Sequence, residues 1–401
     1  MADSRRHAVK LRGWVPSALA VVGAVSAIGA GAVAVLTLVV ARTVVVPPRR
    51  RPEDIRILSI DGAGDIITLS STVDSRLPGC YSLFFGGGSG HARVGQILTE
   101  NSKTVTRRLL GIDVGDLSRS RRGRFSGWFF TGPGEFDVPF EDVEIDTELG
   151  PAPAWLVPAA EPSTRWVIQV HGRAVRREET LRAIPVFHAA AYTSLLISYR
   201  NDEDGPASLD GRYGLGDTEW HDVDAALRFA IDHGATDVVL MGWSMGGATV
   251  LQTLTRSALA GVVRGVVLDS PVVDWVAALR FQGELRGLPN PIRSGALALL
   301  GGKWAGRLTG QHTPIDLPRL DFVRRSGELT VPILLLHSDD DGFVPATASL
   351  ALAAARPDIV TYERFTVAAH TRLWNYDPER WNAAIARWLG TTELAEPRAE
   401  S

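Results

Sequence analysis

The chain has 401 residues, enough for two or three folded units with real hydrophobic cores, and its 45% hydrophobic and 22% charged residues exclude a disordered or low-complexity protein. Residues 1–52 hold eight Lys/Arg against Asp3 alone, leaving 34 basic and 44 acidic residues in the remainder, and that acidic balance makes nucleic acid a poor partner. A single cysteine, Cys80, excludes an intrachain disulfide, a Cys-based zinc site and a CxxC redox pair.

The first element is apolar. Between Arg12 and Arg42 lie 29 uncharged residues, Gly13 to Ala41, whereas roughly 20 cross a bilayer core. A signal peptide would share the basic start of Arg5, Arg6, Lys10 and Arg12, but its apolar core runs only about 7 to 15 residues, so the reading is an uncleaved single-pass transmembrane helix. Basic residues flank it on both sides, with Arg42, Arg49, Arg50, Arg51 and Arg56 following, so charge does not fix its orientation. The recurrence of Gly23, Ala27 and Gly31 is what an Ala/Gly-rich run produces by chance. Val44 to Pro52 reads as a linker, because its prolines oppose continued helix and its arginines suit a headgroup surface.

From Ile55 to about Pro139 the apolar runs are short and punctuated by glycine: Ile55 to Ile60, Ile66 to Leu69, Tyr81 to Phe85, Val94 to Leu98 and Phe125 to Phe130. This predicts a small β-rich unit. Gly86 to Gly90 lacks the spacing of a phosphate loop and reads as a turn; Arg119, Arg121, Arg122 and Arg124 read as a solvated cluster. After about Glu141 the pattern alternates. Strands are predicted at Trp166 to Val170, Ser194 to Tyr199, Val238 to Met241, Val262 to Leu268, Val331 to Leu336 and Ile359 to Phe365, with helices at Glu178 to Ala191, Asp217 to His233, Gly247 to Leu259, Pro345 to Ala355 and Pro378 to Leu389. Such alternation implies an α/β fold with a mostly parallel, doubly wound sheet. The expected organisation is an anchor and linker at 1–52, a β-rich region at 53–140, an α/β domain at 141–390 and a tail at 391–401. Residues 271–329 read as an insertion in the α/β domain, and Trp275, Phe281, Leu297, Leu299 and Trp304 would give a lid over an acyl pocket its apolar surface.

The chemistry concentrates after the strand Val238 to Met241. Gly242-Trp243-Ser244-Met245-Gly246 follows that strand and precedes a helix, the setting of a nucleophile elbow. The turn is tight enough that side chains two residues from the serine would collide. It lifts Ser244 Oγ above the sheet edge and leaves the Met245 backbone N–H at a helix start, where it can face a developing oxyanion. A serine hydroxyl needs a histidine base, itself held in one tautomer by a carboxylate. With the order Ser, acid, His, only His312, His337 and His370 follow Ser244, and His370 alone comes after the acidic cluster. The acid lies among Asp339, Asp340 and Asp341, with Asp269 at the preceding strand end as an outside candidate.

These motifs resemble the α/β-hydrolase superfamily over roughly Glu141 to Leu389. GWSMGG matches the elbow, and His337 to Pro345 (HSDDDGFVP) is similar to the family's HGxxDxxVP stretch, with Ser338 in place of the usual glycine. The resemblance implies Asp341 as the triad acid. His171-Gly172-Arg173 is similar to the family's HG turn, implying the Arg173 backbone N–H as a second oxyanion donor beside Met245. Tyr213 to Glu219 resembles a segment of the prolyl-oligopeptidase-like and dienelactone-hydrolase-like branches, with Glu219 structural. The implied activity is acyl transfer to water through Ser244, His370 and Asp341, requiring no metal or organic cofactor, on a small-molecule or lipid acyl ester beside a membrane. A serine peptidase of the same fold and an inactive binding or scaffolding protein are the alternatives. Because the anchor ends by Pro52 and every proposed active-site group lies between Arg173 and His370, attachment and catalysis are expected to be separable.

Overall fold

The computed structural model describes residues 31–48, 51–304 and 306–391. Helix α1 covers 31–45. Six strands follow: β1 (Ile55–Ile60), β2 (Ile66–Ser70), β3 (Tyr81–Phe85), β4 (Gly90–Glu100), β5 (Thr104–Val114) and β6 (Arg122–Ser126). They close into an antiparallel barrel in the order β1-β2-β5-β4-β3-β6, so the β-rich unit leaves no open sheet edge. Ile55, Ile67, Leu69, Leu83, Val94 and Phe125 fill its interior. Arg107 is buried with them. That charge is tolerable because its guanidinium donates to the carbonyls of Gly95 (2.8 Å), Ser75 (2.9 Å), Leu77 (2.7 Å) and Gly79 (2.6 Å).

The second body is an eight-stranded sheet of β7 (Glu141–Thr147), β8 (Gly150–Val157), β9 (Arg165–Val170), β10 (Thr193–Ile197), β11 (Asp237–Trp243), β12 (Val263–Asp269), β13 (Ile333–Ser338) and β14 (Val360–Phe365). Its order is β14-β13-β12-β11-β9-β10-β8-β7, parallel from β14 to β10 and antiparallel at β8 and β7. The helices after α1 are α2 (Ile184–Ala189), α3 (Trp220–Asp232), α4 (Met245–Arg256), α5 (Trp275–Leu285), α6 (Asn290–Gly301), α7 (Gly306–Thr309), α8 (Thr347–Ala355), α9 (Leu373–Tyr376) and α10 (Pro378–Leu389). Strand β11 shows why its sequence is apolar without alternation. Val238 and Leu240 pack on one side with α3 and α4, while Val239, Met241 and Trp243 pack on the other with α2 and α10. Both faces are covered, so both must be apolar. The parallel register pairs Gly242 with Val170, Trp243 with Asp269, and Asp269 with Leu336, bringing four strand ends to one edge. Ligands bind at that edge in open α/β sheets.

Residues 271–329 supply α5, α6 and α7 between β12 and β13. The barrel docks on the loop after β14. The Cys80 N–H donates to the Asn375 carbonyl (2.9 Å), the Asn375 amide donates to the carbonyls of Cys80 (2.8 Å) and Gly127 (3.1 Å), and Arg372 pairs with Asp74 (2.9 Å). A side chain at Gly79 would meet the Asn375 carbonyl at 2.0 Å, so glycine is what allows this contact.

The bounds expected for the anchor and its linker need correction. Residues 13–30 of the expected span lie outside the described residues, and among the described residues no helix is long and apolar enough to cross a membrane. Residues 31–41 form the first part of α1, and this helix is more than a tether. Ala41 and Val45 have no exposure and belong to the same apolar cluster as Trp275, Ala296 and Leu300. The folded catalytic body therefore begins within α1, well before Pro52.

Candidate active site

The elbow is built by close approach. Ser244 adopts φ 50°, ψ −114°, a left-handed conformation that costs a non-glycine residue energy and is held by its surroundings. A Cβ on Gly242 would lie 2.5 Å from Gly246, and one on Gly246 would lie 2.1 Å from the Val170 carbonyl, so both glycines of the motif are sterically required. The Ser244 N–H donates to the Asp269 carbonyl (3.1 Å), fixing the turn to the neighbouring strand end.

Around Ser244 the structure brings together the residues singled out by sequence. Ser244 Oγ lies 2.8 Å from His370 Nε2, and His370 Nδ1 lies 2.7 Å from Asp341 Oδ2. An ionised carboxylate only accepts, so Nδ1 carries the proton and Nε2 is left to accept from the serine hydroxyl. Asp341 Oδ1 accepts from the Phe343 and Val344 N–H groups (2.8 Å each), and Oδ2 also lies 3.2 Å from His337 Nε2. Burial alone would raise the Asp341 carboxyl, but His370 beside it, with hydrogen bonds from both histidines, holds it well below the usual carboxylate range. Its neighbours differ. Asp339 is exposed and paired with Arg364 (2.8 Å), and Asp340 is exposed. Asp269, the outside candidate, is committed elsewhere: its oxygens accept from Ser270 Oγ and Trp381 Nε1 (2.9 Å each), and burial pushes its carboxyl up.

The turn after β9 lies against the serine. A Cβ on Gly172 would sit 3.3 Å from Ser244 Cβ. Among the described residues, the backbone N–H groups of Met245 and Arg173 donate to no protein acceptor, whereas that of Gly172 is taken by Glu179 Oε2 (2.7 Å). Sequence reasoning missed what holds this turn. The His171 ring lies between the Gly172 carbonyl (2.8 Å) and Asp202 (2.9 Å) and stacks on Tyr199, whose hydroxyl donates to the Gly172 carbonyl (2.7 Å). Ser270 Oγ accepts from the Thr371 N–H (3.1 Å) and Arg182 donates to the Thr371 carbonyl (2.9 Å), which fixes the loop carrying His370. Glu219 is wholly buried, accepting from the N–H groups of Gly214 and Gly216 (2.8 Å each), a structural carboxylate. No local motif signals Glu179, Asp202 or Arg182, because the partners they hold, the Gly172 N–H, the His171 ring and the Thr371 carbonyl, come from other turns and loops and meet them only in the folded chain.

Beside Ser244 opens a cavity of about 300 Å³, lined by Trp275, Ala278 and Leu279 of α5, Leu297 and Leu300 of α6, and Phe343. Of the five residues expected in a lid, Trp275 and Leu297 line it; Phe281 is half-buried, Leu299 buried and Trp304 exposed, and these three are not part of the lining.

Comparison with known proteins matches this geometry at the level of fold. A family model described as the alpha/beta hydrolase family covers residues 167–384, more than half of the chain, and a model for a domain of unknown function covers residues 56–126, the barrel. An esterase from Pyrococcus furiosus superposes with a TM-score of 0.50 at 18% identity, over 65% of this chain and 94% of that one. An esterase from Rhodococcus sp. gives 0.44 at 20%, over 62% and 98%, and a Butyrivibrio proteoclasticus protein with bound ferulic acid gives 0.47 at 16%, over 62% and 97%. No curated protein matches. With the family model spanning β9 to α10 and the strand order above, the chain belongs to the alpha/beta hydrolase family.

Proposed function

We propose that the protein is a membrane-anchored serine hydrolase that cleaves carboxylic esters through Ser244, His370 and Asp341. His370 Nε2 takes the Ser244 proton as Oγ attacks the acyl carbonyl; the oxyanion is received by the backbone N–H groups of Met245 and Arg173, which have no protein acceptor among the described residues. Collapse expels the alcohol, protonated by His370. Water, deprotonated by the same nitrogen, then releases the acid and restores the serine. The observation that carries the reading is the unbroken relay Ser244–His370–Asp341, at 2.8 and 2.7 Å, opening on an apolar cavity. Kinship with the prolyl-oligopeptidase-like and dienelactone-hydrolase-like enzymes belongs to the same reading and is supported by the Tyr213 to Glu219 segment. Anchoring is supported by the 24 uncharged residues from Gly13 to Leu36, which precede the part of α1 that packs on the protein, and by the exposed Val33, Val35 and Leu36 at their end.

Fluorophosphonate labelling tests the activated serine, and a panel of acyl esters and aminoacyl amides tests the bond. Labelling confined to Ser244 with turnover of esters supports the proposal. Turnover of amides alone moves it to a serine peptidase, and no labelling leaves a binding or scaffolding protein of this fold.

A further inference from the structure

The cavity beside Ser244 has a third wall, and it comes from the N-terminal helix. Val39, Val40, Thr43 and Val44 of α1 line it opposite α5 and α6. Three features make this wall a built part of the body. Thr37 is buried against α6, where a Cβ on Gly295 would come within 2.8 Å of its Cγ2, so the helices meet at a glycine. Ala41 and Val45 are sealed in the core. The last turn of α1 is capped from the active-site turn, because the Arg173 guanidinium donates to the carbonyls of Thr43 (2.8 Å), Val44 (3.0 Å) and Val46 (3.1 Å), and the Tyr213 N–H donates to that of Val45 (2.9 Å). Arg173 thus joins α1 to the residue whose backbone is assigned to the oxyanion.

The chemistry of the lining indicates what it takes. Its charged and amide side chains are engaged within the protein, Arg173 on α1, Gln282 on the Phe343 carbonyl, Arg286 on Gln282 and Arg293 on Glu284, and the Trp275 indole N–H is a buried donor with no protein acceptor among the described residues. Apart from that one indole donor, the surface left for a substrate is mainly valine, leucine, alanine and aromatic carbon, which would leave most of a peptide's amides unpaired and suits a hydrocarbon chain.

We propose that α1 is a wall of the acyl-binding pocket, that the substrate carries an extended apolar acyl chain lying between α1 and the α5–α6 pair, and that Val40 sets the length of chain accepted. This rests on the serine-hydrolase reading of the same site. The test uses the full-length protein in detergent and measures the rates at which ethyl- and decyl-fluorophosphonate label Ser244. The ratio of decyl to ethyl rates should fall at least tenfold in Val40→Trp, which fills the pocket, and rise in Val40→Ala, which enlarges it. Thr43→Phe, at a more exposed position of the same wall, should lower the ratio as well and serves if Val40→Trp does not fold. A ratio within twofold of wild type in Val40→Ala and in a folded narrowing variant would overturn the proposal while leaving the hydrolase reading standing. If neither probe labels the wild-type protein, the hydrolase reading fails and the pocket assignment falls with it.

Discussion

Replacing Asp341 by Asn tests the relay with almost no change of shape. Asp341 Oδ1 faces the Phe343 and Val344 N–H groups at 2.8 Å, so the amide oxygen of Asn must take that side and its NH₂ must face His370 Nδ1, now 2.7 Å from Oδ2. Two donors cannot meet there. The imidazole adopts the other tautomer, its proton sits on Nε2 facing Ser244 Oγ, and the base is lost. Turnover should fall by up to ~10⁴, roughly 5.5 kcal/mol of barrier at about 1.4 kcal/mol per tenfold. Kinetics on an acyl ester, with thermal unfolding to show that the fold survives, would measure it. Activity within tenfold of wild type, or a larger loss from Asp339→Asn or Asp340→Asn, would refute the reasoning. The same carboxylate gives a pH signature. Its ionisation in the folded state lies below that of the unfolded chain, about 3.9, so its contribution to stability is complete above that value and is lost as pH falls further. The difference in urea midpoint between wild type and Asp341→Asn should therefore shrink from pH 5 toward pH 2; a constant difference would mean that the carboxylate's charge contributes nothing to the fold.

Ser244→Ala should lower kcat by a factor approaching ~10⁶ without lowering the melting temperature, and near wild-type turnover would end the nucleophile assignment. Removing residues 1–36 should leave a folded, labelled protein. Removing residues 1–52 strips Ala41 and Val45 from the core, at about 2–4 kcal/mol for the two side chains, and frees Arg173, so its melting temperature and labelling rate should both fall; equal behaviour of the two truncations would show that α1 is a tether after all. The full-length protein should stay in the membrane fraction through a carbonate wash, whereas release would point to surface binding.

The candidate triad was legible because its chemistry constrains neighbouring sequence. A serine lifted over a sheet edge needs Gly242 and Gly246, since a Cβ at either would strike the chain within 2.5 Å, and that need writes a local motif. The alternation of strands and helices was legible for a similar reason: strands such as β11, covered on both faces, must be apolar throughout. Strand β5 was not, because Arg107, Arg108 and Asp113 interrupt its apolar residues and the reason for one of them, the carbonyl cage around Arg107, exists only once the barrel has closed. The hairpin of β7 and β8 was hidden by Pro151 and Pro153, tolerable so close to the sheet edge.

Helix α1 shows a different limit. Hydropathy measures how strongly a side chain leaves water and carries no information about where it goes, so a run of Ala and Val reads alike whether lipid or protein receives it. In this one helix Val33 and Val35 remain exposed while Ala41 and Val45 are sealed against the insertion helices, and the change of destination falls within a uniform stretch of sequence. What marks the change lies elsewhere in the chain, in a glycine on α6 that makes room for Thr37 and an arginine beside the candidate oxyanion site that caps the helix. Arg173 was predicted for its backbone; its side chain, through which the N-terminal helix is tied to the active-site turn, has a role that no motif around residue 173 specifies.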